Sequence, residues 1–195
     1  MTPERFIEHT AKRCKQHGVK VRMPNSNTVK YDDDKECAGY FSSEDKMLVV
    51  ASGVSTSEFY GLLAHESSHL DQWIENRYLW DKCSYGYSLF FEWLDGKIVK
   101  REQLEEAVQD IIRLELDCEI RTLKKIDKYK LPVNRTTYIQ KVNTYLYGYL
   151  FFLEIRKWIP KIYSKKSLYG KAATRLKKEY SKIPNRLYAA FKAHT

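Results

Sequence analysis

The sequence has no long apolar run. No stretch of about 18 apolar residues, the length at which a helix begins to cross a bilayer, occurs in the 195-residue chain. Residues 1–17 are charged and follow a helical pattern, without the apolar stretch of a signal peptide. We therefore expect a cytoplasmic protein with no membrane partner.

Cysteine is sparse, and no two cysteines form a CxxC pair. The four cysteines stand far apart in the chain. Without an export signal, we expect free thiols rather than disulfides. The hydrophobic share of 43% is typical of a globular protein, and a chain of this length buries enough surface to fold without cross-links.

Acidic residues are scarce in the last part of the chain. From Arg121 onward, the sequence holds 19 of the 34 Lys and Arg residues but only 3 of the 25 Asp and Glu residues. A basic surface of this kind suits nucleic acid or another acidic partner. A solvated helical face that keeps the protein in solution has the same composition, and both interpretations stay open.

The first 76 residues predict a helix, short strands and a second helix. We predict a helix from Pro3 to Gly18, strands at 19–23 and 29–31, and a hairpin over Cys37–Ala51. The acidic turn Asp32-Asp33-Asp34 is expected to be solvated. A helix capped by Ser55 or Ser57 then runs to about Asn76.

The rest of the chain predicts mainly helices. The aromatic stretch Cys83–Leu94 is interpreted as a loop that shapes substrate specificity, and helices are predicted at 103–128, 136–158, 172–180 and 185–192. Pro132 and Pro160 follow the two long helices. The expected fold class is therefore α+β and mostly helical.

His65, Glu66 and His69 form an HExxH motif in the helix predicted at 55–76. Positions i and i+4 share a helix face, so the two imidazoles point at one ion. Neutral imidazole is a zinc ligand, and Glu66 is placed to take a proton from a metal-activated water. The motif predicts one zinc held by His65 and His69, with Glu66 as the general base. The alternative is two histidines with ordinary hydrogen bonds.

A catalytic zinc needs a third protein ligand and an open position. Gln72 and Glu75 stand where the longer HExxHxxGxxH motif has Gly and His. In the next long helix, Glu115 interrupts an apolar row and Glu119 follows one turn later. Because a buried carboxylate must be paired or bind metal, we predict Glu115 as the third ligand and Glu119 as the acceptor of a histidine N–H. Pairing with nearby arginines is the alternative for both.

The sequence His65-Glu66-Ser67-Ser68-His69, followed by Glu115-Leu116-Asp117-Cys118-Glu119, resembles the gluzincin metallopeptidases. The likeness is closest to their short form, a minimal zincin core encoded by bacteria and tailed phages, and covers about residues 19–128. It implies a small antiparallel sheet, an active-site helix and a glutamate helix. It also implies one zinc, peptide-bond hydrolysis, and an extended substrate that adds to an edge of the Cys37–Ala51 hairpin. Glu119 replaces the usual Asp, and Cys118 replaces a small residue.

We expect the metallopeptidase core at 1–130 and a basic, tyrosine-rich helical extension at 131–195. Tyr145, Tyr147 or Tyr149 could steady an oxyanion, although tyrosine at helical spacing commonly packs. The predicted function is a zinc-dependent metallopeptidase acting on a peptide or protein substrate. The alternatives are a non-catalytic zinc-binding or virion-associated protein, or a nucleic-acid-associated protein that uses the basic C-terminal third.

Overall fold

The computed structural model describes residues 1–32 and 35–194, and the fold is α+β and mostly helical, as predicted. Asp33 and Asp34 of the predicted acidic turn lie outside the described residues. By their contacts the residues form two compact units. The first unit comprises Met1–Arg77 and Cys118–Asn134, and the second comprises Tyr78–Asp117 and Arg135–Thr195. The predicted division into a peptidase core and an extension is a statement about domains and stays a prediction.

The first unit begins with a helix, five short strands and a second helix. Thr2 caps the first helix by accepting a hydrogen bond from the backbone N–H of Arg5. Just after the helix, Gly18 has φ +70°, a conformation that glycine adopts without strain. The elements are α1 (Pro3–Gln16), β1 (Lys20–Arg22), β2 (Val29–Asp32), β3 (Lys35–Cys37), β4 (Gly39–Ser42), β5 (Met47–Val50) and α2 (Thr56–Glu75).

The predicted hairpin is present as β4 and β5, which pair antiparallel with Phe41 opposite Leu48. The three-stranded sheet is nevertheless mixed and not wholly antiparallel, because β1 pairs with β5 in parallel. The long connection between β1 and β5 allows this, since parallel neighbours need a crossover of a dozen or more residues. Cys37 ends β3, which pairs with β2 in a separate two-stranded ribbon, so the hairpin begins at Gly39.

Helix α2 is the element that carries the HExxH motif, and it packs on β4 and β5. Its N-terminus has a capping box. Ser55 Oγ accepts from the backbone N–H of Glu58, and the Glu58 carboxylate accepts from the backbone N–H of Ser55. Of the two predicted caps, Ser55 is therefore the one used. The Phe41 ring lies 5.8 Å from the Trp73 ring, which joins the sheet to the second half of the helix.

The aromatic stretch predicted as a loop is helical instead, and this prediction was wrong. Helix α3 runs over Arg77–Leu94 and buries Cys83, Gly86 and Phe90 on one face. Aromatic residues have modest helix propensity, but burial of an apolar face overrides it. Residues 172–180 are irregular and not helical, because the side chain of Asn143 binds their backbone carbonyls.

The remaining helices are α4 (Arg101–Tyr129), α5 (Arg135–Ile155), α6 (Lys166–Tyr169) and α7 (Asn185–Lys192), with a 3₁₀ turn at Ile162–Ser164. Three of them, α4, α5 and α7, confirm the predictions at 103–128, 136–158 and 185–192, whereas α6 and the 3₁₀ turn were not predicted. The core of the second unit is built mainly from α3, α4 and α5, and its fully buried members include Phe90, Val108, Ile111, Leu146, Phe151 and Phe152. Within residues 1–32 and 35–194, every helix is too short or too polar to span a membrane. All four cysteines are free, as predicted.

We predict that Ser55→Ala lowers the free energy of unfolding by about 1 kcal/mol, because it removes the cap of α2. The matched control is Ser57→Ala, two residues further on, where the side chain is exposed. Urea denaturation of both variants measures the difference. Equal stability of the two variants would show that the capping box does not stabilise α2.

Candidate metal centre

The two histidines of the HExxH motif lie one turn apart on α2 and meet edge to face. Their ring centroids are 4.7 Å apart and their planes are perpendicular. The two Nε2 atoms face each other at 3.2 Å. His69 is buried, whereas the side chain of His65 is 21% exposed. The helix thus presents two imidazole nitrogens at one point, and one of the two rings is partly exposed.

The opposite ring nitrogens of both histidines are held by oxygen acceptors. His65 Nδ1 lies 3.0 Å from Glu119 Oε1, and His69 Nδ1 lies 2.9 Å from Gln72 Oε1. With the Glu119 carboxylate and Gln72 Oε1 as acceptors, both Nδ1 atoms carry hydrogen. In two neutral rings, the facing Nε2 atoms then both carry lone pairs. Lone pairs 3.2 Å apart require a cation between them, either a proton or a metal ion.

The surroundings of the two histidines shift their pKa values in opposite directions. Burial acts to lower the pKa of His65, but Cys118 and Glu119 outweigh it and raise the pKa well above its usual value. Burial, followed by the neighbouring His65, holds the pKa of His69 well below its usual value. The thiol and carboxylate beside His65 thus favour a positive charge on that ring, whereas burial disfavours one on His69.

Glu119 fulfils the contact predicted for it. Only 3% of the residue is exposed, and its carboxylate meets His65 through the hydrogen bond at Nδ1. A carboxylate in this position fixes the tautomer and the orientation of a ligating histidine. Gln72 does the same for His69, three residues along α2. The sequence interpretation noted Gln72 only as a departure from a longer motif, and its i+3 spacing from His69 is the signal that was available.

Cys118 also belongs to this centre. His65, His69 and Cys118 each offer a ligand atom, and these atoms all lie within 4.8 Å of one another. The Cys118 thiol donates to the carbonyl oxygen of His65 at 3.4 Å and lies 3.6 Å from its Nδ1. The sequence interpretation noted Cys118 as a replacement for a small residue of the gluzincin pattern, and it is fully buried. Its proximity to a histidine depends on how α4 packs on α2, which the sequence does not give.

Polar contacts fix the last third of α4 against α2. Thr122 Oγ1 donates to the Cys118 carbonyl at 2.9 Å and lies 3.2 Å from Ser68 Oγ. Lys125 forms an ion pair with Asp71 at 2.9 Å, and burial lowers the pKa of this lysine. Small hydroxyl side chains allow the two helices to approach closely, and this approach brings Glu119 to His65.

Glu66, the predicted general base, is 6% exposed and follows His65 on α2. Burial, with the negative charge of the Glu66 carboxylate as the second cause, raises the pKa of the Cys37 thiol at the end of β3 to about 11. The negative charge of Glu66 thus lies within electrostatic reach of Cys37. Among the described residues, β4 has one sheet neighbour, β5, and so forms an edge of the sheet.

Glu115 stands one turn before Glu119 on α4 and belongs to the second unit. Only 3% of it is exposed. The hydroxyl of Tyr87 donates to its carboxylate, and Tyr149 Oη lies 3.2 Å from Tyr87 Oη. Tyr87 was missed because its segment was interpreted as a loop. The role of Glu115 as a zinc ligand stays a prediction.

The three tyrosines considered for oxyanion stabilisation all lie on α5 in the second unit. The hydroxyls of Tyr145 and Tyr149 are hydrogen-bonded to each other, and the Tyr147 ring lies 4.8 Å from that of Tyr180. Burial, with Glu115 as the second cause, raises the pKa of Tyr145 well above its usual value. Within this unit Tyr145 and Tyr149 extend a hydrogen-bonded chain from Tyr87. Their role toward an oxyanion stays a prediction.

We predict that Glu66→Gln makes Cys37 several-fold more reactive toward iodoacetamide at about pH 8, because the thiolate is the nucleophile. Removing the negative charge of Glu66 lowers the pKa of Cys37 and so raises the thiolate fraction. Mass spectrometry of the alkylated peptide from chelator-treated protein gives the rate. Cys14 is the internal control, since its pKa of about 11 comes from burial and Asp71. Equal alkylation rates of Cys37 in the unaltered protein and in Glu66→Gln would show that the charge of Glu66 does not affect the pKa of the Cys37 thiol.

Comparisons with protein-family models, with curated proteins and with solved structures found no match to this chain. The resemblance to gluzincins therefore rests on the motif residues themselves. Within the first unit, the described residues provide a group of two histidines and a cysteine, His65, His69 and Cys118, that could hold a metal ion.

Proposed function

We propose that the protein is a zinc-dependent metallopeptidase that holds one zinc through His65 and His69. The observation that carries the proposal is the orientation of the two rings. Both Nδ1 atoms face fixed acceptors, and both Nε2 atoms converge at 3.2 Å. One metal ion bound by both Nε2 atoms fits this orientation, and a single proton shared by the two rings is the alternative.

The donor types fit zinc better than a hard cation. Imidazole nitrogen and thiol sulfur are preferred by zinc, whereas magnesium and calcium prefer oxygen ligands. The partial exposure of His65 favours a catalytic site over a structural one, because a catalytic zinc keeps one position open for water or substrate. Glu66 beside the ligands supports the same choice, since a structural zinc needs no base.

For the third ligand we propose Glu115, as the motif predicts. Residues four apart on a helix share a face, so Glu115 lies on the same side of α4 as Glu119, whose carboxylate meets His65. The hydrogen bond from Tyr87 fits this role, because it holds one carboxylate oxygen and orients the other. Cys118 is the competing ligand, since its thiol belongs to the same compact group as both histidines.

Zinc, when bound, would lower the pKa of a coordinated water and polarise the carbonyl of a peptide bond. Glu66 accepts a proton from the attacking water and delivers it to the amine nitrogen that leaves. The water oxygen bonds to the carbonyl carbon as the C–N bond breaks, so the products are a carboxylic acid and an amine. Glu119 and Gln72 keep the histidines in the tautomer that points Nε2 at the metal.

The edge strand β4 supports an extended peptide as the substrate. In the part of the chain that the structure describes, β4 pairs with β5 alone among the strands, and α2 packs on the same two strands. A peptide added to this edge would be bound by main-chain hydrogen bonds, which suits a protein or peptide substrate. The four free thiols favour a reducing compartment, and we propose the cytoplasm.

We predict that the purified protein binds about one zinc per chain and cleaves peptides. The variant Glu66→Gln should keep the zinc, but its cleavage rate should fall at least about a hundredfold because it lacks the general base. Elemental mass spectrometry gives the metal content. Mass spectrometry of a mixed peptide library detects the new termini that cleavage creates, whichever peptide sequence the protein prefers.

His69→Ala should lose both zinc and cleavage, whereas His17→Ala, which removes a histidine outside the motif, should lose neither. Full activity of Glu66→Gln would contradict the proposed mechanism. Zinc bound through His69 without cleavage by the unaltered protein would favour the non-catalytic zinc-binding alternative. Unchanged zinc in His69→Ala would contradict the metal site itself.

Tyr87→Phe tests the third ligand. If Glu115 binds zinc, removal of the Tyr87 hydroxyl should weaken zinc binding at least about tenfold, as loss of groups that orient metal ligands commonly does. Competition with a chromogenic chelator measures the affinity. Tyr147→Phe is the control, because it removes a hydroxyl from a buried tyrosine whose ring packs on Tyr180. Unchanged affinity in Tyr87→Phe, together with loss of zinc in Cys118→Ala, would assign the third ligand to Cys118.

A further inference from the structure

The second unit contains a segment of unusual charge, residues 161–186, which we name the cationic segment. It holds nine basic residues and a single acid, Glu179. All nine basic side chains are exposed, and within the described residues none of them is paired with a carboxylate. The nine residues are Lys161, Lys165, Lys166, Lys171, Arg175, Lys177, Lys178, Lys182 and Arg186.

A buried polar group holds the irregular part of this segment in one conformation. Asn143 on α5 is fully buried, and its amide donates to the carbonyl oxygens of Ala173 at 2.7 Å and Arg175 at 3.0 Å. The Tyr180 hydroxyl donates to Asn143 Oδ1 and accepts from the backbone N–H of Lys177 at 3.3 Å. These hydrogen bonds fix the backbone at Ala173, Arg175 and Lys177, so the neighbouring lysines project from an ordered chain.

Apolar anchors complete the attachment. Leu168 and Tyr180 are buried to at least 99%, as is Leu187 just beyond the segment, so the chain alternates between residues that pack inward and cations that project outward. Like charges held this close together repel one another. A fold that orders such a segment without acidic partners of its own is stabilised when a polyanion supplies the opposite charge.

The observations favour nucleic acid over a membrane or an acidic protein. Within the segment, Tyr163 is the one large apolar side chain that is exposed, so no group of apolar side chains is available to enter a bilayer. Its ring is instead suited to stacking on a base. Tyr169 also lies beneath a cation, Lys141, at 5.7 Å. A regular array of phosphates matches a series of cations better than scattered carboxylates do.

We propose that the cationic segment binds single-stranded nucleic acid through its phosphates, without sequence preference. The segment contains only a 3₁₀ turn, the four-residue helix α6 and the first residues of α7, so it has no long helix or ribbon to read base edges in a groove. Phosphate contacts with occasional stacking remain, as in non-specific single-strand binding. This inference goes beyond the proposed peptidase function and does not depend on it.

The test uses the full chain and a fluorescein-labelled oligothymidylate of about 20 nucleotides, a length that exceeds common single-strand binding sites. Fluorescence anisotropy should show binding at low salt, with log affinity falling linearly with log salt. In the triple variant Lys171→Gln, Lys177→Gln, Lys178→Gln, affinity at low salt should fall at least about tenfold. The slope of log affinity against log salt should become shallower by about 2, because three phosphate contacts are lost and each contributes about 0.7 on a single strand.

The matched control is Lys12→Gln, Lys15→Gln, Lys124→Gln, which removes the same charge from exposed lysines of the first unit. It should keep the slope of the unaltered protein. Equal slopes in the two triple variants would overturn the proposal, because binding would then follow net charge alone. Absence of binding at low salt would overturn it, and so would binding to phosphatidylserine vesicles without binding to the oligonucleotide.

Discussion

The hydrogen bonds at the two histidine Nδ1 atoms are the constraint on which the candidate centre depends. Glu119 and Gln72 accept from His65 and His69 and thereby decide that both Nε2 atoms are acceptors. A helix brings two residues at i and i+4 to one face, but it does not choose their tautomers. Without these two acceptors, one ring could donate to the other and the pair would be an ordinary hydrogen bond. With them, the pair requires a cation.

This constraint in turn explains why the contact between α2 and α4 is polar. Glu119 reaches His65 only if the two helices approach closely, and a close approach needs small side chains such as Ser68 and Thr122. Their hydroxyls are buried and therefore need partners, which they find in each other and in backbone carbonyls. The ion pair between Lys125 and Asp71 holds the same two helices together. An apolar contact would pack as well, but it would not position a carboxylate.

The sequence could predict what depends on local spacing. The HExxH pair on one helix face and the hairpin of β4 and β5 follow from periods of 3.6 and 2. The contact of Glu119 with His65 also depends on how α4 packs on α2. The sequence could not predict α3, because burial of its aromatic face decides its conformation, nor the irregular path of residues 172–180, which Asn143 on another helix imposes. Cys118 was noted as a replacement for a small residue, and Tyr87 as part of a loop. In each case the missing information is a contact between elements distant in sequence.

Two of the buried polar groups among the described residues, those of Asn143 and of the histidine pair, differ in a way that supports the metal interpretation. Around Asn143, protein groups complete every hydrogen bond, since its two N–H groups meet two carbonyls and its oxygen meets a tyrosine hydroxyl. A cluster that only stabilises a fold is expected to close in this way. The histidine pair instead has its two Nε2 atoms 3.2 Å apart, a place that takes either a proton or a metal ion. Burying such a pair carries an energetic cost that structure alone does not offset, and a bound cation would offset it.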